Sequence, residues 1–178
     1  MKYFIILVLL IAAPLAGAQQ LSGEHKRKAE TASLRAMEYL SSRQNLQTLG
    51  FDDDPETQVL PAITALVVEG FMLQPGVDER SHIVIQGTRY ILKYVKPDGG
   101  IHDGMLQNYN TAICISALSK VRRPEALDAL LKAQPYLKSL QYSDANPDNP
   151  NDPGFDEPID IDHPYYGGVG YGKHGRPD

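Results

Sequence analysis

The stretch from Gly87 to Val121, GTRYILKYVKPDGGIHDGMLQNYNTAICISALSKV, constrains the fold more than any other part of the chain. It reads as an amphipathic helix, a glycine turn with a short polar loop, then a nearly all-apolar helix opened by Tyr109, Asn110 and Thr111. A looser copy precedes it and another begins after it. Thr64-Ala65-Leu66 aligns with Ser116-Ala117-Leu118 at a spacing of 52 residues, and Leu40 aligns with Leu92 at the same spacing (64 to 116, 40 to 92). Leu137 stands as a third equivalent, 45 residues beyond Leu92 (92 to 137). Helical hairpins repeating at about fifty residues signal a repeat architecture. Amphipathic helices belong outside and apolar ones inside. The expectation is an all-α fold of two concentric helix layers, with the glycine loops at one rim.

Several elements follow from local pattern. A helix is expected from near Ala29, with Leu34, Met37 and Leu40 on its dry face and Arg35, Glu38 and Arg43 in water. Leu49-Gly50-Phe51 closes it. Asp52-Asp53-Asp54-Pro55 reads as a helix start, acids toward the positive end of the dipole, ahead of a buried helix from Gln58 to Phe71. Gln74-Pro75-Gly76 is a turn, and Ser81 is placed to cap the next helix, where Ile91, Tyr94 and Val95 share a face. Asn110 or Thr111 starts the apolar helix to Val121; Lys120, Arg122 and Arg123 complement its C-terminus. Pro124 opens a last helix to about Gln141, with Leu127, Leu130, Leu131 and Leu137 as core and Pro135 as a kink.

The 178 residues suffice for one domain with a real core. A net charge of −5 without a Lys/Arg-rich patch excludes a nucleic-acid binder, which needs a basic surface to displace counterions. Residues 1–18 read as a cleaved secretory signal: Lys2, an apolar run from Tyr3 to Ala13, and Ala16-Gly17-Ala18 as the cleavage site. The alternative is an uncleaved anchor. The expectation is a secreted or periplasmic protein with no stable membrane span after cleavage, a disordered polar segment at 19–28, and repeats over 29–178. Cys114 is the only cysteine and lies in an apolar run, so it reads as a small buried hydrophobe.

Beyond Gln141 the chain changes character. Tyr142 to Asp162 is rich in Asp, Asn and Pro and reads as a long surface loop; the glycine-rich run His163 to Asp178 follows. The first two repeats each follow their glycine loop with a buried helix, and the third should do the same, so the chain reads as a fragment.

Tyr90 to Val95 with Asp98-Gly99-Gly100, then Tyr109-Asn110-Thr111-Ala112 leading to Ala117-Leu118, resembles the prenyltransferase and squalene-oxidase repeat of the terpenoid cyclase/protein prenyltransferase superfamily. Gly167-Gly168-Val169-Gly170-Tyr171-Gly172 with Arg176-Pro177-Asp178 resembles the turn before that family's next inner helix. The resemblance implies an α/α toroid, here an incomplete one of about three helical hairpins. It implies an apolar or polyprenyl-like small molecule as partner. The family's signatures are missing, however. Squalene-hopene-type cyclases carry Asp-x-Asp-Asp before the Thr-Ala that opens an inner helix; here Gln107, Asn108, Tyr109 and Asn110 stand there, with no carboxylic acid to donate a proton. The prenyltransferase zinc pair Asp-x-Cys is Ala112-x-Cys114, and the thioester-domain signature Gly-Cys-Gly-Glu-Gln does not occur. There is no Trp to stabilise a carbocation, though Tyr109, Tyr165, Tyr166 and Tyr171 could serve in part.

Other groups are candidates for chemistry. Asp52-Asp53-Asp54 lies too early for a cyclase acid in this register. His102-Asp103 on the second loop and Asp160, Asp162 and His163 on the third would converge on a cavity mouth if the loops share a rim, as acid–base groups or as a metal site. Asn149 to Gly154 with Asp160 only loosely matches a calcium loop. Tyr109, Asn110, Tyr165 and Tyr166 are the expected pocket lining. No cofactor is expected. The sequence favours an exported, non-catalytic binding or scaffolding module. The alternatives are a cyclase- or prenyltransferase-like enzyme whose catalytic repeat lies beyond Asp178, and a periplasmic toroid hydrolase using loop carboxylates.

Overall fold

The computed structural model describes residues 22–51, 59–142 and 161–172. Within them the chain is all-helical: α1 (Gly23–Arg43), α2 (Pro61–Met72), α3 (His82–Leu92), α4 (Gln107–Leu118) and α5 (Pro124–Ser139). The chain divides into two compact units, Met1–Ala36 and Met37–Asp178. The described part of the first is helix from Gly23 onward, six residues ahead of the expected start and inside the segment expected to be disordered. Exposed ion pairs one turn apart, Lys28–Glu24 at 2.7 Å and Lys26–Glu30 at 4.0 Å, lend this polar start modest support. Leu34, expected on the dry face, is 62% exposed. No residue of α1 is buried, and within the second unit Met37 and Leu40 rest partly against the core.

In the second unit α2 packs against α3 and α4, and α5 packs against α4 and α3. Helices α2 and α4 lie side by side in one layer, α3 and α5 in the other. Buried positions follow a similar pattern in successive hairpins. Thr64, Ala65, Val68 and Phe71 of α2 recur 46 residues on as Asn110, Thr111, Cys114 and Ala117 of α4 (64 to 110). Val84, Gly87 and Ile91 of α3 recur 42 residues on as Ala126, Ala129 and Ala133 of α5 (84 to 126). These spacings replace the 52 and 45 read from the sequence. They differ because nine residues join α2 to α3 and only five join α4 to α5. Matching one apolar triplet to another cannot see which positions are buried.

The turns repeat too, and they hold the layers together. In each, a residue with positive φ precedes a glycine: Leu49 (77°) before Gly50, Gly99 (94°) before Gly100, Gly167 (78°) before Gly168. The carbonyl of each second glycine accepts a backbone N–H, from Asn45 (3.0 Å), Lys96 (2.7 Å) and Tyr142 (2.9 Å) respectively. The next residue then ties the turn to the helix that follows. Phe51 N–H donates to Thr64 Oγ1 (3.0 Å) and Ile101 N–H donates to Thr111 Oγ1 (2.9 Å). A tyrosine of the other layer covers each of the first two turns. A Cβ on Gly50 would overlap the Tyr90 ring, and one on Gly100 would fall 2.7 Å from Tyr136 Cζ.

Several local expectations change for packing reasons. The buried stripe of α5 is Ala126, Ala129, Ala133 and Tyr136, while Leu127 and Leu131 are 57% and 63% exposed and Leu130 and Leu137 half-buried. The cause is close approach. A Cβ on Gly99 would overlap the Lys132 carbonyl, so the turn backbone lies on the α5 backbone where only small side chains fit. Helix α5 runs unbroken through Pro135, which is exposed on the solvent side, where the carbonyl it cannot bond is accessible to water. Helix α2 starts at Pro61 rather than Gln58 and leaves Ile63 and Leu66 exposed, so it is not buried all round. Ser81 does occupy the N-cap position of α3, but its hydroxyl accepts from Asp78 N–H (3.1 Å) instead of capping. Helix α4 begins at Gln107, three residues before Asn110. The expected Asp52–Asp54 helix start and the Asn149–Gly154 loop lie outside the described residues.

One ion pair joins the two apolar helices. Lys120 Nζ lies 2.7 Å from Glu69 Oε1, which also accepts from Ser116 Oγ (3.0 Å). The Lys120 hydrogen bond holds the Glu69 carboxyl below its usual range, over an opposing push from burial.

Two outcomes follow. Gly99→Ala should lower unfolding stability by roughly 2 kcal/mol or more in urea titration, since strain at positive φ adds to a backbone clash. Glu69→Gln should flatten the loss of stability as pH falls from about 5 to 3. The depressed folded pKa makes the pair's contribution full above the unfolded value and lost through the folded one; partial exposure keeps it under about 1 kcal/mol.

Candidate functional site

The N-terminal end of α4 is where loops, helix and the last described segment meet. No side chain caps this helix; its N-cap, Leu106, has a left-handed backbone (φ 47°). The chain at Gly170–Tyr171 supplies part of the cap. Tyr109 N–H donates to the Tyr171 carbonyl (3.1 Å), and Asn108 Nδ2 donates to the Gly170 carbonyl (2.7 Å). Satisfying an otherwise orphaned helix N–H in this way fixes the segment against α4. Between them opens a groove of about 410 Å³, lined by Asn108, Tyr109, Ala112, Ile113, Val169, Gly170 and Tyr171. The Tyr109 and Tyr171 rings stand 5.9 Å apart, tilted by 48°. The lining combines aliphatic edges, two aromatic faces and one amide.

Gln107, Asn108, Tyr109 and Asn110 each have a place in this structure. Gln107 Nε2 donates to Gly104 O (3.0 Å) and Asn108 holds Gly170. Tyr109 lines the groove. Asn110 was expected in the pocket lining but is fully buried, facing α2. Its Oδ1 accepts from Ala62 N–H (3.0 Å), and its Nδ2 donates to the carbonyls of Met105 (2.9 Å) and Leu106 (3.3 Å). It thus satisfies one of the orphaned N–H groups opening α2 and pins the loop before α4. An amide offers both donors and acceptor at neutral charge, which a carboxylate could not do without burying a charge.

The other candidates sit in local networks. His102 Nδ1 accepts from Gly104 N–H (3.1 Å), which leaves the ring proton on Nε2, facing Tyr136 Oη at 3.2 Å. Burial, with the nearby Asp98 charge, pushes the Tyr136 hydroxyl up to about 12, so it stays a neutral partner for His102. Asp103 is exposed on the same loop. On the third loop His163 Nδ1 accepts from Tyr165 N–H (3.1 Å) and its ring packs edge-on to Tyr165 at 5.2 Å. Tyr166 N–H donates to the His163 carbonyl (2.9 Å), and Tyr165 faces Tyr142 at 6.0 Å. Tyr165 and Tyr166 therefore build the third turn and are not among the groove's lining residues. Asp162 is exposed, and Asp160 lies outside the described residues. Among the described residues no group of three or more His, Cys, Asp or Glu could hold a metal ion. Cys114 is fully buried, and burial pushes its thiol well above the usual range.

Of the expected lining, only Tyr109 lines the groove. Ile113, Val169 and Tyr171 were missed as lining residues, although the glycine-rich run that places the last two was legible. No protein-family model, curated protein or solved structure matches the chain.

Asn110→Ala should cost about 1–3 kcal/mol in urea unfolding, the cost of leaving the Ala62 N–H without its acceptor. Ser at the same position should recover part of that loss.

Proposed function

We propose that the protein is an exported, non-catalytic binding module built as an arc of an α/α toroid, related to the prenyltransferase and squalene-oxidase repeats. In this reading it takes an apolar, polyprenyl-like molecule against the face that α2 and α4 turn away from the other layer. The observation that carries it is the groove of Tyr109, Ala112 and Ile113 on α4 with Val169 and Tyr171 of the glycine-rich segment. The register supports a wider surface: Ile63 and Leu66, 37% and 49% exposed on α2, occupy the positions of Tyr109 and Ala112 (63 to 109, 66 to 112). An apolar face that recurs on adjacent helices and stays open is what a toroid turns toward its central cavity. The structural work done by Gln107, Asn108 and Asn110 favours binding over proton donation. Among the described residues no helix is long and apolar enough to cross a membrane; export rests on the leader read from the sequence.

The test is a fluorescence titration with a dansylated farnesyl analogue. Saturable binding is expected, weakened about tenfold or more in a Tyr109→Ala/Tyr171→Ala variant that keeps its helical circular dichroism, since each aromatic contact is worth roughly 1 kcal/mol. Absence of binding, or binding that the double variant leaves unchanged, overturns the reading.

A further inference from the structure

The face that α2 and α4 leave open changes character along its length. On each helix the positions turned from the buried stripe fall at i, i+3 and i+7, and they match between the two: Ile63, Leu66 and Gly70 on α2, Tyr109, Ala112 and Ser116 on α4 (63 to 109, 66 to 112, 70 to 116). One end is bulky and apolar, with Ile63 and Leu66 exposed and Tyr109 lining the groove. Seven residues on, roughly 10 Å along the helices, the face is small and polar at Gly70 and Ser116.

Nothing inside the molecule requires a glycine at position 70. It lies within α2, is exposed, and a Cβ there would meet no atom within 4 Å. A glycine in a helix costs stability, and bare backbone at such a surface suits close approach from outside. Beside it, Glu69 Oε1 accepts from Ser116 Oγ (3.0 Å) and Lys120 Nζ (2.7 Å). Glu69 Oε2 accepts from no described residue, and the side chain stays 24% exposed. The carboxylate and the ammonium cancel, so the cluster offers an acceptor and no net charge. A phosphate would need a cation that Lys120 has already given to Glu69. An ammonium would lie against Lys120 itself. A hydroxyl donates to Oε2 and brings no charge.

We propose that Glu69, Ser116 and Lys120, over Gly70, form a polar subsite that seats the hydroxyl of a long-chain alcohol, whose apolar body lies along Leu66 and Ala112 toward Tyr109. The inference rests on the binding reading given above and adds the class of head group to it.

Isothermal titration calorimetry of the full chain with farnesol, farnesyl methyl ether and farnesyl monophosphate tests it. Farnesol should bind about tenfold tighter than the ether, which cannot donate to a charged acceptor, and tighter than the monophosphate. Glu69→Gln should bring alcohol and ether together, because its amide puts a donor where a carboxylate oxygen stood. Gly70→Leu should fill the seat and weaken farnesol about tenfold or more, with a melting temperature no lower than wild type because its Cβ has open space. Four results would each overturn the subsite and leave the apolar face standing: equal binding of alcohol and ether, tighter binding of the monophosphate, a Glu69→Gln variant that keeps the alcohol preference, or a Gly70→Leu variant that binds like wild type. Absence of binding by all three probes would overturn both.

Discussion

One backbone interaction underlies much of the fold: in the first two turns, the N–H that follows the glycine is given to a threonine hydroxyl on the next helix. Ile101 is fully buried, so its N–H has lost water and must find an acceptor inside. Thr111 provides one without a charge, and in doing so sets where α4 begins its packing. The same turn must also admit a tyrosine ring over one glycine and, in the second copy, the α5 backbone against the other. Any side chain at Gly99 or Gly100 would force these parts of the two layers apart. The spacing of the layers is therefore set by the absence of Cβ atoms more than by the size of apolar side chains.

That constraint propagates into the helices. Because α5 lies so close to the turn, its inward stripe is alanine and its leucines point elsewhere. Because α2 and α4 pack on each other and on the outer layer, only one face of each remains open, and on both it is apolar. Asn110 joins the starts of those two helices and so fixes their relative register. The groove beside it inherits its geometry from this join: Tyr109 is the preceding residue, and its N–H anchors the segment bearing Tyr171.

Much of this was legible beforehand. The helical class, Pro124 as a helix start, the turns at Gly76 and Gly99, and the burial of Cys114 all follow from local chemistry. The register was not, because small and apolar triplets match one another at more than one spacing and only the pattern of buried positions chooses among them. Nor was the role of Asn110: its neighbours in sequence mark it as pocket lining, and only its distance from Ala62, 48 residues away, makes it a brace. The histidines were visible as candidates, but their partners Tyr136 and Tyr165 depend on how the loops close.

By itself the sequence determined that the chain is helical, where most of its helices lie, and several of the glycine turns that separate them. Those are properties of a few neighbouring residues, set by dihedral preference and periodicity. Only the tertiary structure decided which face of each helix is buried, that alanines and not leucines line the inside of α5, and that Tyr109 meets Tyr171 across a groove. Those outcomes depend on how closely backbones approach, and closeness is a property of pairs of segments far apart in the chain.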